Sequence, residues 1–192
     1  MKKILVILGH PRKESLCGAL ATAYAESARA GGAEVRELAL SELSFDPVLH
    51  MGYRAEQALE PDLAAAREAI SWAEHLVFVY PTWWGGLPAL IKGFIDRVFL
   101  PGFAFKYRKD SPWWDRLLAG RSARLLVTMD TPPWYYRWLY RMPGHNQMRR
   151  TILEFCGIRP VRISQFGPVR GSTNTRRDAW LETARQAARK DV

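Results

Sequence analysis

Sulfur and imidazole are scarce in this sequence, which has only two cysteines and four histidines among 192 residues. Cys17 and Cys156 stand far apart, without zinc-type spacing. That argues against a thiol-rich metal site and against a disulfide framework, and it fits a reducing cytoplasm. No metal centre is expected. Long apolar runs are also missing. The N-terminal run covers only Ile4 to Leu8 before Gly9-His10-Pro11, too short for a secretion signal, and no stretch approaches the roughly 20 residues that span a bilayer. No Gly-Lys-[Ser/Thr] ending marks a triphosphate loop, and no G-x-G-x-x-G follows a strand, which disfavours a nucleotide triphosphatase and a Rossmann dehydrogenase.

Acidic residues are few in the second half of the chain. Residues 101–192 hold 18 Lys+Arg against 7 Asp+Glu, residues 1–100 hold 10 against 12, and the net charge is +9. Such a surplus can attract nucleic acid, anionic lipid or a phosphorylated cofactor. Nucleic acid has the least support, because no zinc-finger or RNA-recognition signature is present and the arginines are dispersed. With 48% hydrophobic residues the chain has enough apolar content for one sizeable core, so a single domain over 1–192 is expected.

Lys3–Leu8 is a continuous apolar strand and His75–Tyr80 reads as a buried one, while Glu34–Leu40, Arg124–Thr128 and Val161–Phe166 supply three further predicted strands. Between and after them, helical spacing appears over 15–30, 61–73, 88–99, 143–156 and 173–190. Strict alternation of apolar strands and helices predicts an α/β fold, a doubly wound parallel sheet covered on both faces. Five strands suit the flavodoxin-like order 2-1-3-4-5. Ligands of such sheets sit at the carboxyl ends of the strands, which directs attention to the loops 9–15, 80–87 and 129–136.

The first of these loops, Gly9-His-Pro-Arg-Lys-Glu-Ser15, opens a helix whose N-terminal N–H groups suit a phosphate, with His10 and Ser15 as further donors and Arg12 or Lys13 as positive charge. Ser15 is equally eligible as a simple N-cap. The second, Tyr80-Pro-Thr-Trp-Trp-Gly-Gly-Leu-Pro88, sets two indole planes beside two glycines that admit close backbone approach, a composition suited to a flat ring such as a flavin. Two tryptophans after a strand are also ordinary core residues.

Gly9-His-Pro-Arg-x-x-Ser15, Ser44-Phe-Asp-Pro47 and the run from Tyr80 through Asp96-Arg-Val-Phe99 to Pro101-Gly-Phe-Ala-Phe105 resemble the flavodoxin-like NAD(P)H:quinone oxidoreductases, the group that contains DT-diaphorase and the bacterial modulators of drug activity. The resemblance covers nearly the whole chain. It implies a bound flavin, a homodimer with active sites at the subunit boundary, and two-electron reduction of quinone-like acceptors by NAD(P)H. By position, His10, Ser15, Leu16 and Cys17 would hold the phosphate side of the flavin, with Cys17 standing where the family usually has Asn. Pro81, Thr82, Trp83, Trp84 and Gly85 would border the isoalloxazine, and Asp130 and Thr131 would offer N–H groups to its pyrimidine edge. A fixed carboxylate at Asp130 would oppose the negative charge of a reduced ring unless it points away. Tyr136 falls at the family's ring-contacting tyrosine. Phe105 and Tyr107 match the aromatic pair that a partner subunit presents to substrate, so Trp84, Tyr107 and Tyr136 would frame the reacting face. His145 is the available counterpart of the active-site histidine, and it is equally readable as a solvent-facing helix-start residue. Arg177 stands where FAD-dependent members place an arginine near the adenosine half, which favours FAD and leaves FMN open.

Two other functional classes share these motifs. A flavodoxin-type electron carrier is one, although such carriers are usually acidic. The other is an ancillary subunit of a glutathione-gated potassium efflux system, which related proteins resemble. The segment 134–142, Trp-Tyr-Tyr-Arg-Trp-Leu-Tyr-Arg-Met, is too aromatic for an ordinary exposed loop; a dimer partner, an active-site lid or a peripheral membrane contact would cover it.

Overall fold

A computed structural model describes residues 1–192. Five parallel strands, β1 (Lys3–Leu8), β2 (Glu34–Ala39), β3 (His75–Pro81), β6 (Ser122–Thr128) and β7 (Val161–Phe166), form one sheet in the order β2-β1-β3-β6-β7. Counting only the strands of this sheet, that is the expected 2-1-3-4-5 order. β1, β3 and β6 are buried on both faces, and their side chains part with the period of two that a pleated strand imposes. Ile4, Val6 and Leu8 join Val77, Val79 and Leu126 beneath α1 (Leu16–Ala30) and α6 (Asn174–Asp191). Leu5 and Ile7 join Leu76, Phe78 and Leu125 on the other face, beneath α2 (Pro61–Trp72) and α3 (Ala89–Val98).

Three features differ from the sequence expectation. A two-stranded antiparallel hairpin, β4 (Phe105–Tyr107) with β5 (Trp114–Arg116), follows α3. Its strands are three residues long, too short for a period to register. A short helix α4 (Pro133–Trp138) occupies the second half of the 129–136 loop, where Pro133 fits the first turn because no N–H is needed there. The helix expected over 143–156 is instead one turn of α5 (Pro143–Asn146) running into a π-helical segment, Gln147–Leu153.

Two buried arginines fix what the sheet alone leaves loose. Arg97 of α3 is fully enclosed and donates from Nη2 to Glu60 Oε2 (2.8 Å) and to the Ala58 carbonyl (2.9 Å), and from Nη1 to the Asp46 carbonyl. It pins the long segment between β2 and α2 against α3, where Pro47 lies directly over Gly93 with no room for a Cβ. At the amino-terminal edge of the sheet, Asp191 at the end of α6 accepts from Arg124 Nε and Nη2, from Arg162 Nη1 (3.0 Å) and from the Tyr24 hydroxyl (2.9 Å). His75 Nε2 lies 3.4 Å from the same carboxylate without hydrogen-bond alignment. Burial by itself would raise the Asp191 carboxyl; the hydrogen bonds from Arg124, with the proximity of His75, outweigh it and hold the group well below the usual carboxylate range.

A carboxyl depressed in the folded state contributes stability above its unfolded value, near 3.9, that is lost as pH falls through the folded value. Asp191→Asn leaves Arg124 buried without its counter-charge. It should cost about 3–5 kcal/mol in urea unfolding at pH 7, with the loss shrinking as pH drops below about 4.

Candidate active site

The strand order sets the carboxyl ends of β1, β3 and β6 side by side, with Leu8 level with Val79 and Pro81 level with Thr128. From β1 the chain passes Gly9, whose N–H reaches the Val79 carbonyl at 2.8 Å, and folds over the start of α1. Ser15 caps that helix. Its hydroxyl accepts from the Gly18 amide (3.1 Å) and donates to the Arg12 carbonyl (2.9 Å), so its one proton is already in use. The amides of Leu16 and Cys17 in the first turn have no intrahelical acceptor and point outward. His10 Nδ1 lies within hydrogen-bond distance of both the Arg12 amide (3.0 Å) and the Arg12 carbonyl (2.9 Å), which fixes the ring over the loop. Gly18 is indispensable to this loop, because a Cβ there would collide with the Lys13 carbonyl.

The second loop is tied to the third by the Thr82 amide, which donates to the Thr128 carbonyl at 2.7 Å. Trp83 and Gly86 then exchange both backbone hydrogen bonds (3.3 and 3.0 Å) around Trp84 (φ 51°) and Gly85 (φ 74°). Two successive positive φ values define a type I′ turn, which glycine adopts freely and tryptophan only at a cost of about 1–2 kcal/mol. The strained Trp84 carries its indole wholly into solvent. The Gly85 carbonyl accepts twice, from the Tyr136 hydroxyl (2.9 Å) and from the Gly144 amide (3.1 Å), which locks the turn against α4 and α5.

These loops enclose two adjoining cavities. The first, about 360 Å³, is lined by His10, Ser15, Leu16, Cys17, Pro81, Thr82, Trp83, Asp130 and Arg177, together with Arg12, Glu14, Thr128, Met129 and Val169. The second, about 610 Å³, shares Thr82, Trp83 and Asp130 with it and adds Trp84, Gly85, Thr131, Tyr140 and Pro143. A groove of about 690 Å³ leads from Ser15, Leu16 and Arg177 along the seam of α1 and α6 past Thr22 and Leu181. Sequence reasoning passed over Gly18, Thr128, Val169 and Tyr140. The carboxyl ends of β6 and β7 were the signal for two of these, since Thr128 ends one strand and Val169 follows the other.

Several candidate residues sit elsewhere than expected or in a different state. Tyr136 is fully buried behind the Trp84 turn, its hydroxyl donating to the Gly85 carbonyl and accepting from the Gly144 amide (3.0 Å), so it faces neither cavity. His145 lies beneath it, ring centroids 5.0 Å apart, with neither ring nitrogen hydrogen-bonded. It is not solvent-facing, and burial pushes its pKa down to about 4, which keeps it neutral at neutral pH. Phe105 and Tyr107 line a separate cavity of about 280 Å³ with Phe155 and Ile152. Cys17 turns its thiol to Thr128 Oγ1 (3.2 Å), and burial pushes that thiol up to about 11, so it serves as a neutral hydrogen-bonding group. Asp130 Oδ1 accepts from the Arg170 amide (2.7 Å), which anchors the carboxylate at the border of the two cavities.

The chemistry of this rim is defined by its polar groups: a helix N-terminus, the His10 ring and the Arg177 guanidinium for an anion, with the Trp83–Trp84 turn beside them for a planar group. Removing the Tyr136 hydroxyl leaves the turn held by Gly144 alone. Tyr136→Phe should lower unfolding free energy by about 1–2 kcal/mol in urea titration, the cost of a lost buried hydrogen bond.

A family model described as the flavodoxin-like fold matches residues 2–192. An uncharacterized NAD(P)H oxidoreductase of Haemophilus influenzae is 28% identical over 187 residues, covering 95% of this chain and 92% of the relative. The ribosyldihydronicotinamide dehydrogenase (quinone) of Pongo abelii is 29% identical over 216 residues, covering 94% and 90%. The crystal structure of Smu.1420 from Streptococcus mutans superposes with a TM-score of 0.82 at 29% identity, over 98% of this chain and 99% of that one. The strand order, the three rim loops and a match running through the last residue agree: the chain belongs to the flavodoxin-like family.

Proposed function

We propose that the protein is a flavin-dependent NAD(P)H:quinone oxidoreductase. The observation that carries this reading is the convergence of the 9–17, 81–85 and 128–131 loops on two continuous cavities, one rich in anion donors and one walled by indole. In the first, the Leu16 and Cys17 amides, His10 and Arg177 would hold a flavin's phosphate, and Gly18 permits the loop to close over it. Trp83, Trp84 and Thr82 would border the ring. When bound, the flavin supplies hydride acceptance from NAD(P)H and hydride donation to a quinone-like acceptor. The protein's own share is positioning and exclusion of water, and holding reacting groups about 3–3.5 Å apart can remove several kcal/mol from a barrier.

The groove between α1 and α6 favours FAD over FMN, because it extends the anion cavity past Arg177 by enough to take an adenosine half. Tyr107 is the freer proton donor for a quinol oxygen, since its ring is 64% exposed. Tyr136 and His145, both enclosed, act by holding the Trp84 turn. Buried Phe105 packs edge-to-face on exposed Tyr107 (5.2 Å) and on half-buried Phe155 (5.1 Å), an aromatic cluster that a second copy would cover while presenting Tyr107 to its partner's cavity.

Denaturing the purified protein and chromatographing the supernatant should release FAD, and NAD(P)H alone should bleach the holoprotein's visible absorbance. Absence of any flavin after reconstitution overturns the reading, and release of FMN only would remove the role assigned to the groove. Gly18→Ala should yield folded protein with little retained flavin. Arg177→Ala should weaken FAD about tenfold or more, as expected for loss of a charge-assisted hydrogen bond, and FMN by less, measured by fluorescence titration of the apoprotein.

A further inference from the structure

We propose that the tip formed by α4 and the residues up to Met142 is a docking surface for an anionic lipid membrane, placed so that the bilayer lies beside the mouth of the indole-walled cavity. The tip projects apolar surface that the fold leaves unused. Trp134 is 66% exposed, Trp138 75% and Leu139 60%, while Tyr136 and the Tyr135–Tyr140 edge-to-face pair (5.1 Å) fasten the helix from beneath. Arg141 (φ 57°) and Met142 (φ 52°) are successive non-glycine residues in the left-handed region, a strained conformation that the surrounding packing holds in place.

The charge identifies the partner. No acidic residue occurs between Asp130 and Glu154, whereas Arg137, Arg141, Arg149 and Arg150 do, all exposed; Glu154 takes up Arg149 (3.0 Å), which leaves Arg137, Arg141 and Arg150 without a carboxylate partner. Tryptophan and tyrosine with interspersed arginine is the composition that settles at the headgroup level of a bilayer, the rings at the acyl boundary and the guanidinium groups among the phosphates. A second copy of the chain is the poorer occupant. An isologous contact would set this acid-free patch against itself and bring like charges together. The Phe105–Tyr107–Phe155 face carries no such conflict.

Tyr140 belongs both to this tip and to the wall of the cavity that contains Trp83 and Trp84. Docking would therefore open that cavity toward lipid-soluble acceptors. This consequence for substrate rests on the reductase reading above, whereas the docking itself does not.

The test is co-sedimentation of the full chain with phosphatidylglycerol–phosphatidylcholine vesicles and with phosphatidylcholine vesicles alone, at low and physiological salt. Tryptophan quenching by brominated lipid is read in parallel. Binding to the anionic vesicles with quenching is expected. Arg137→Gln with Arg141→Gln should lower partitioning about 25-fold at low salt, at about fivefold per charge. Trp138→Ala with Leu139→Ala should lower it about tenfold or more and abolish the residual quenching of Trp134. Circular dichroism verifies that both variants are folded.

No sedimentation of the parent protein at low salt overturns the proposal. So does sedimentation unaffected by the Trp138/Leu139 change, which would be adsorption by charge alone. A shift of that variant to a smaller species in light scattering would assign the tip to a copy of the chain instead. Reduction of a water-soluble quinone separates the two readings. If vesicle binding fails while that activity persists, only docking is lost. If the protein binds vesicles but no flavin, only the reductase reading is lost.

Discussion

The site depends on one constraint: β1 pairs in parallel with β3, and β3 with β6, in a register that ends β3 and β6 level at Pro81 and Thr128 and ends β1 just below them, with Leu8 beside Val79. Parallel pairing sends every strand's carboxyl end to one edge, so the loops that leave them have to be neighbours. The Thr82 amide bound to the Thr128 carbonyl continues that pairing one step beyond the strand and into the cavity wall. A slip of one residue would turn Leu5 and Ile7 out of one core and Ile4 and Val6 out of the other, which is why the register is not negotiable.

The opposite edge of the sheet has a quieter part in the same outcome. Asp191 gathers Arg124, Arg162 and Tyr24 at the last residues of α6, so the helix is fixed at its far end. Arg177 lies near the start of that helix and reaches the anion cavity. An ion cluster with no place in the chemistry thus sets the position of a cationic group that has one. The cluster also accounts for part of the basic surplus of the second half, since two of its arginines are committed to a single carboxylate rather than to any partner.

Most of the sheet was legible from the chain because β1, β3 and β6 are buried on both faces and read as largely apolar runs, with Arg124 the charged exception in β6. The rim loops were legible because turns between such strands and helices fall at predictable places, and because Trp83-Trp84-Gly85-Gly86 is a distinctive composition. What escaped was structure decided by tertiary contact. The β4–β5 hairpin has strands of three residues, without a period to detect. The residues 143–153 show helical spacing, but the choice of π over α geometry lies in packing. Tyr136 and His145 were assigned to the right neighbourhood, yet whether a ring faces a cavity or the turn behind it depends on Gly144 and Gly85 meeting closely enough to exclude any side chain.

That meeting point has a mechanical consequence. Tyr136 belongs to α4, Gly144 to α5 and Gly85 to the Trp84 turn, and all three converge on one carbonyl oxygen. The aromatic tip and the indole wall are thereby two arms of one lever with its fulcrum at Gly85. Displacing the tip therefore either carries the Trp84 turn with it or breaks the buried hydrogen bonds at Gly85.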